Sequence, residues 1–142
     1  MSFQLHSVLE ADSIILGQFK LCLLLLINDS QYPWFVLVPQ RHEIKEIYQM
    51  SQSDQQQFWL ESNDLSQVLM KLFKGDKLNV AAIGNMVPQL HLHHVVRFKD
   101  DPCWPKPVWG QLPMKSYDQQ QAEYVQRKII QNLHNYGFKS VK

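Results

Sequence analysis

The segment with the clearest capacity for chemistry is Gln-Leu-His-Leu-His-His at positions 89–94, which follows Gly84 and Asn85 closely. Side chains alternate between the two faces of an extended strand, so Gln89, His91 and His93 are predicted to share one face. The Cα atoms of the two histidines would then lie about 6.7 Å apart. At that separation, two imidazoles can meet a single phosphate group or a single metal ion.

The spacing of the two histidines is compatible with phosphate chemistry and with metal binding, and a purely structural role is the third possibility. A lone histidine is more often structural, which is how we interpret His6, His42, His94 and His134. A zinc site would need at least a third ligand, and no distant His, Asp or Glu is indicated. Cys22 and Cys103 are isolated in the sequence. We therefore favour phosphate chemistry, assign no residue as a metal ligand and keep a metal site as the weaker alternative.

The elements that must position this segment are predicted from apolar periodicity and turn residues. We expect strands at 13–16, 19–27, 34–38, 78–83 and 90–98. A long helix is predicted over 53–74 with Ser53 as its N-cap, and a second helix over about 117–135. The segment 100–116, rich in Pro and Trp, is expected to be ordered but irregular.

Strands joined by turns, with one long helix between strands three and four, indicate an α+β domain. We predict an antiparallel sheet of about five strands and a C-terminal helix, all within a single domain that spans residues 1–142.

Composition excludes several classes of protein. The chain has 142 residues, of which 45% are hydrophobic, so it is expected to fold rather than stay disordered. Its net charge of +1 makes nucleic acid an unlikely partner. The longest apolar run, at 21–27, is too short to span a membrane. Two cysteines and the lack of a signal-peptide pattern predict a cytoplasmic protein.

Several motifs together resemble those of the histidine triad (HIT) family of nucleotide hydrolases and transferases. Residues 89–96, Gln-Leu-His-Leu-His-His-Val-Val, are similar to the family's His-φ-His-φ-His-φ-φ signature. Residues 37–42, Leu-Val-Pro-Gln-Arg-His, are similar to its Val-Ile-Pro-Lys-x-His strand end. The helix at 53–74 falls between the two motifs, as in that family, and Trp104-Pro105 is like a segment found in some members. The resemblance covers about 13–110 and is greatest to bacterial proteins described as diadenosine tetraphosphate hydrolase-like.

The resemblance implies a role for each matching residue. His91 occupies the position of the family's nucleophilic histidine, and His93 that of the histidine that hydrogen-bonds the phosphate. Gln89 replaces the first histidine of the triad, which is the main departure. A glutamine can donate a hydrogen bond to the phosphate but cannot carry a proton.

Further positions are implied around this triad. Asn28, with Asp29 as the second choice, matches the residue that binds the ribose hydroxyls. Asn85 is the candidate for the polar residue that steadies the phosphate or the leaving group. Trp34 stands where many members have a histidine.

On this resemblance we expect a hydrolase of nucleotide phosphoanhydrides or phosphoramidates that acts through a nucleotidyl-histidine intermediate. Two alternatives remain: a nucleotide-binding module without catalysis, favoured by the missing first histidine, and a metalloenzyme built on His91 and His93. No cofactor is expected to be required, although Mg²⁺ could accompany a polyphosphate substrate. The family resemblance also implies a homodimer.

Overall fold

The computed structural model describes residues 2–141 and contains one six-stranded antiparallel sheet. The strands are β1 (Ser13–Gln18), β2 (Cys22–Ile27), β3 (Trp34–Pro39), β4 (Lys77–Ala81), β5 (Leu92–Arg97) and β6 (Lys139–Ser140). Their spatial order is β4-β5-β3-β2-β1-β6. The helices are α1 (Ser7–Ala11), α2 (Gln52–Phe73) and α3 (Gln119–Leu133). No helix in the part of the chain described is long and apolar enough to cross a membrane.

The predicted α+β fold is confirmed, with differences at the ends of elements. β5 begins at Leu92 rather than at residue 90, so His91 lies just before the strand. The predicted strands 13–16 and 19–27 imply a turn at Gly17-Gln18, but the β1–β2 connection is built around residues 19–21, where Phe19 N–H donates to the Cys22 carbonyl at 2.8 Å. Gly17 instead follows a bulge within β1, with a φ of 156° and β6 packed too closely for a Cβ. β6, which the apolar pattern did not predict, pairs with β1 there.

Helix α2 lies between β3 and β4, as predicted, but its N-cap lies two residues earlier than expected. Its N-cap is Ser51, whose hydroxyl accepts from Asp54 N–H, rather than Ser53. Both serines satisfy the sequence rule for a cap, and only the backbone conformation distinguishes them. The helix ends where Lys74 adopts the left-handed conformation before Gly75.

One face of the sheet carries the main hydrophobic core, on which α2 and α3 pack. Phe35 and Leu37 of β3 point towards α2, and Ile129 and Leu133 of α3 complete the layer. Since alternate residues of each strand face opposite sides, Val36 and Val38 must lie on the other face.

A buried carboxylate fixes α2 against the β1–β2 turn. Glu61 is 2% exposed, and its two carboxylate oxygens accept from Leu21 N–H at 2.9 Å and Cys22 N–H at 2.8 Å. Gln57 adds a third hydrogen bond at 2.6 Å. The turn would otherwise bury two unpartnered amide groups, so Glu61 sets where the helix crosses the sheet.

Two segments cover the opposite face. The N-terminal segment and α1 pack Phe3, Leu5 and Leu9 against Leu25, Ile27, Val36 and Val38. The irregular segment 100–116 brings Val108 and Trp109 against Tyr32, Trp34 and Val95.

We expect Glu61→Ala to lower the free energy of unfolding by about 3 kcal/mol, because it leaves two buried amide groups without an acceptor. Urea denaturation at neutral pH measures this. Glu123→Ala, which changes an exposed glutamate on α3, is the matched control and should stay within about 0.5 kcal/mol of the parent protein. Equal stability of the two variants would contradict the role assigned to Glu61.

Candidate active site

His91 and His93 lie together on the sheet face opposite α2 and α3. Their ring centroids are 4.9 Å apart and the ring planes meet at 70°. Both residues are buried, with 6% and 7% of their surfaces exposed. His93 pairs in register with Val36 of β3 and Ala81 of β4, so it sits well inside the sheet. The structure therefore brings together the two histidines that the alternating pattern predicted on one face.

The protonation of His91 follows from its partner. Its Nδ1 lies 2.6 Å from the backbone carbonyl oxygen of Gln89. A carbonyl oxygen only accepts, so Nδ1 carries the proton and donates it. In the neutral ring, Nε2 is then the nitrogen with a free lone pair, as a nucleophile or a base requires.

His93 is held in the opposite tautomer. Its Nδ1 lies 3.0 Å from Nε1 of Trp34. An indole N–H only donates, so Nδ1 of His93 is the acceptor and the proton of the neutral ring resides on Nε2. His93 thus presents a hydrogen-bond donor on a ring whose centroid lies 4.9 Å from that of His91.

Burial keeps His93 neutral. Removal from water, followed by the proximity of His91 and His94, lowers the pKa of His93 to about 3. The ring of Trp109 packs edge-on against it, with centroids 5.2 Å apart, and the Trp34 ring lies at 5.8 Å. The two tryptophans exclude water from this imidazole, so Nε2 remains a neutral donor at physiological pH.

A cavity of about 110 Å³ opens beside His91. Its lining includes Lys45, Glu46, Gly84, Pro88 and Gln89. Gly84 has a φ of 56°, and a Cβ built on it would lie 3.5 Å from Cε1 of His91. The loop backbone therefore packs directly against the imidazole, at a position where most side chains would be strained.

The side chain of Gln89 has its own partners. Its Oε1 accepts from His6 N–H at 2.8 Å, and its Nε2 donates to the Gln4 carbonyl at 2.8 Å. The sequence interpretation had this amide facing a phosphate. In the structure it contacts the N-terminal segment, while its backbone carbonyl contacts His91.

The three polar residues predicted to bind nucleotide lie in different surroundings. Asn85 is exposed in the loop before β5, and its neighbour Gly84 lines the cavity. Asn28 accepts from Tyr117 N–H at 3.0 Å. Asp29 is 2% exposed and accepts from Gln31 N–H at 3.0 Å and Lys115 N–H at 3.4 Å. Asn28 and Asp29 thus shape the chain that leads into α3, and their ribose contact stays a prediction.

The remaining histidines of the motifs lie away from this pair. His94 faces α2, where its Nε2 lies 2.8 Å from the Ser62 hydroxyl and its Nδ1 3.1 Å from the Leu92 carbonyl. Burial lowers its pKa to about 4. His42 is partly exposed and lies 3.7 Å from the Glu43 carboxylate. Among residues 2–141, no group of three or more His, Cys, Asp or Glu side chains is placed to hold a metal ion.

Three contributions to the site were missed from the sequence: the Trp34 indole as a donor, the Gln89 carbonyl as an acceptor, and the contact of Gly84. Trp34 shares a sheet face with Val36, and Val36 pairs with His93. Alternation could have placed Trp34 on that face, but the register between β3 and β5 was needed to bring it to His93.

Comparison with known proteins agrees with these motifs. A family model described as the HIT domain matches residues 8–100. No functionally curated protein matched the chain.

Several solved structures are similar over nearly the whole chain. A histidine triad protein from Marinobacter aquaeolei VT8 is 50% identical, with a TM-score of 0.93 over 95% of this chain and 98% of that one. A histidine triad protein from Sinorhizobium meliloti 1021 is 38% identical, with a TM-score of 0.90 over 92% and 97% of the two chains. One from Bradyrhizobium japonicum is 37% identical, with a TM-score of 0.91 over 93% and 98%.

Trp34→Phe is expected to let His93 populate both neutral tautomers, because phenylalanine keeps an aromatic ring but donates no hydrogen bond. Nitrogen-15 NMR of the imidazole should show the proton on Nε2 in the parent protein and a mixture of Nδ1–H and Nε2–H in the variant. Trp109→Phe is the matched control, because Trp109 contacts the same ring without donating to it. An unchanged tautomer in Trp34→Phe would contradict the assignment.

Stability is expected to fall between pH 7 and pH 5. The pKa values of His93 and His94 are lowered in the folded state, to about 3 and about 4. In the unfolded chain these histidines take up protons below their ordinary pKa of ~6.5, whereas in the folded chain they do not. Each of the two histidines therefore lowers the free energy of unfolding by about 2 kcal/mol at pH 5. Urea denaturation across this range measures the loss. His94→Gln should remove about half of it, and an undiminished loss in that variant would contradict the explanation.

Proposed function

Because this chain belongs to the histidine triad family, whose members are generally nucleotide hydrolases or transferases, we propose that it hydrolyses nucleotide phosphoanhydrides or phosphoramidates. The substrates would be dinucleoside polyphosphates or nucleoside phosphoramidates, and His91 would be the nucleophile. The observation that carries the proposal is the hydrogen bond from His91 Nδ1 to the Gln89 carbonyl, at 2.6 Å. In the neutral ring it leaves the free lone pair on Nε2, and His91 is one of the residues that line the cavity.

The proposed reaction has two displacements at one phosphorus atom. Nε2 of His91 attacks the α-phosphorus, an N–P bond forms, and the bond from phosphorus to the leaving group breaks. Water then attacks the same phosphorus, the N–P bond breaks, and a nucleoside monophosphate is released with His91 regenerated. A difficult hydrolysis is thereby divided into two easier steps.

His93 is proposed to stabilise the charge on the phosphate oxygens. The Trp34 hydrogen bond places the proton on Nε2, and the low pKa keeps the ring neutral, so this donor does not depend on pH near neutrality. Losing such a preorganised donor typically costs about 2.7–4 kcal/mol of transition-state stabilisation.

Gln89 bears on the choice of leaving group. A glutamine cannot supply a proton, and this one already donates to Gln4. The first displacement, in which the bond from phosphorus to the leaving group breaks, would therefore favour leaving groups that are weak bases, such as the phosphate end of a polyphosphate. Asn28, Asp29 and Asn85 remain the proposed ribose and phosphate contacts.

A nucleotide-binding module without turnover is the second candidate. The same observation about Gln89 favours it, because no proton donor occupies the position of the first triad histidine. It predicts that the protein binds AMP or GMP in calorimetry and releases no product from any substrate of a broad panel.

Release of AMP from diadenosine tetraphosphate and from an AMP-lysyl amide distinguishes the two candidates. The parent protein should release AMP, and His91→Ala should lower the rate by more than about a hundredfold, because the nucleophile is lost. His134→Ala is the matched control, since that histidine is exposed at the end of α3. Equal rates for the parent protein and His91→Ala would refute the catalytic proposal.

The same assay also tests whether a nucleotidyl-histidine intermediate forms and whether the reaction requires a metal ion. Protein quenched in denaturant at alkaline pH, where a histidine N–P bond is stable, should carry a nucleotidyl group on His91, detectable by peptide mass spectrometry. Repeating the assay with chelator and with added Mg²⁺ separates a metal that accompanies the polyphosphate from one held by the protein. Full activity after chelation would count against a metalloenzyme built on His91 and His93.

We also propose a homodimer and a cytoplasmic location. β4 is an edge strand of the sheet; Val80 within it is 41% exposed, and Ile83, two residues after its end, is 40% exposed. Light scattering at micromolar concentration should give twice the chain mass, and a monomer mass would contradict the dimer. Cys22 and Cys103 are both free thiols, which suits a reducing compartment.

A further inference from the structure

Both ends of the Gln89 carboxamide are bonded to the backbone of the N-terminal segment. Oε1 accepts from His6 N–H and Nε2 donates to the Gln4 carbonyl, each at 2.8 Å. Along an extended chain, the carbonyl of one residue and the amide two residues later point to the same side. A carboxamide offers a donor and an acceptor side by side, so it pairs with the segment as a neighbouring strand would. The two nitrogens of an imidazole diverge and do not match this arrangement.

The segment held in this way covers the sheet face of the site. Phe3 and Leu5 are partly buried against Val36 and Val38. Val36 is the residue that pairs with His93. The hydrogen bonds to Gln89 therefore fasten a cover whose apolar side chains lie on the same face as the paired histidines.

Gln89 is also part of the wall between two cavities. The cavity beside His91 has a volume of about 110 Å³. A second cavity, of about 230 Å³, is lined by residues that include Phe3, Gln4, Arg41 and His42. Pro88 and Gln89 line both.

We propose that Gln89 is a positioning residue, whose side chain fastens residues 4–6 against the sheet face that carries His91 and His93. The side chain then has no direct role at the phosphate, unlike the role that the family resemblance implies for this position. The inference rests on the proposed function for its kinetic consequences, but the attachment of the N-terminal segment is measurable without any substrate.

The first measurement is amide hydrogen exchange of the full chain. Gln89→Ala removes both hydrogen bonds, so exchange at His6 should become at least about tenfold faster, as expected for loss of a protecting bond of ordinary strength. Gln89→Glu keeps the acceptor for His6 but loses the donor for Gln4, and should give an intermediate effect. If Gln89→Ala leaves exchange at His6 unchanged, the fastening role is wrong.

The second measurement separates binding from chemistry. Because Gln89→Ala retains the carbonyl that orients His91, KM for diadenosine tetraphosphate should rise about tenfold while kcat stays within about threefold. A glutamine that donated to the phosphate in the transition state would instead lower kcat by about a hundredfold or more on substitution. The latter result would overturn the proposal.

His6→Pro provides an independent route to the same contact. It deletes the N–H that Gln89 Oε1 accepts, and the φ of His6, −58°, is already one that proline adopts. Its effect on KM should be smaller than that of Gln89→Ala, and the double variant should resemble Gln89→Ala alone. His6→Ala, which keeps the N–H, is the matched control. Fully additive effects would show that Gln89 acts elsewhere and would overturn the proposal.

Failure of the proposed function would look different. If the parent protein turns over no substrate, the exchange experiment still tests the attachment, and AMP affinity replaces KM. Weaker AMP binding together with faster exchange in Gln89→Ala supports the positioning role. Unchanged AMP affinity with unchanged exchange refutes it.

Discussion

Two neutral imidazoles side by side are equivalent unless something makes their nitrogens different. At this site the difference comes from what each Nδ1 meets: a carbonyl for His91 and an indole N–H for His93. The first partner only accepts and the second only donates, so the rings adopt opposite tautomers. Nε2 of His91 therefore has a free lone pair, whereas Nε2 of His93 is a hydrogen-bond donor. Every chemical role proposed for the site depends on that difference.

The fold supports this difference by keeping water away. Trp34 and Trp109 pack against His93, and burial holds its pKa far below neutrality. The neighbouring His94 points to the opposite side of the same strand, where it contacts Ser62 of α2. On β5, His93 thus faces the site, and the next residue, His94, faces the core. The buried Glu61 accepts from two amides of the β1–β2 turn and so fixes α2 against that end of the sheet.

Gln89 illustrates how far the motif could be interpreted from the sequence. Its position two residues before His91, on an extended segment, was predicted, and so was the face shared by His91 and His93. The N-terminal contacts of its side chain were not, because Gln4 and His6 are 85 and 83 residues away along the chain. Such contacts leave no periodic signal, and the N-terminal segment has no motif that indicates where it packs.

The α+β class, the long helix between β3 and β4 and the pairing of His91 with His93 were determined by the sequence itself, because each follows from local periodicity or from short spacing. The register of β3 against β5 was decided only in the tertiary structure, and it is what brings Trp34 to His93. The β6 pairing and the partners of Gln89 belong to the same class. Each depends on contacts between distant segments, whose relative positions are settled by packing of the whole core and not by the residues nearby.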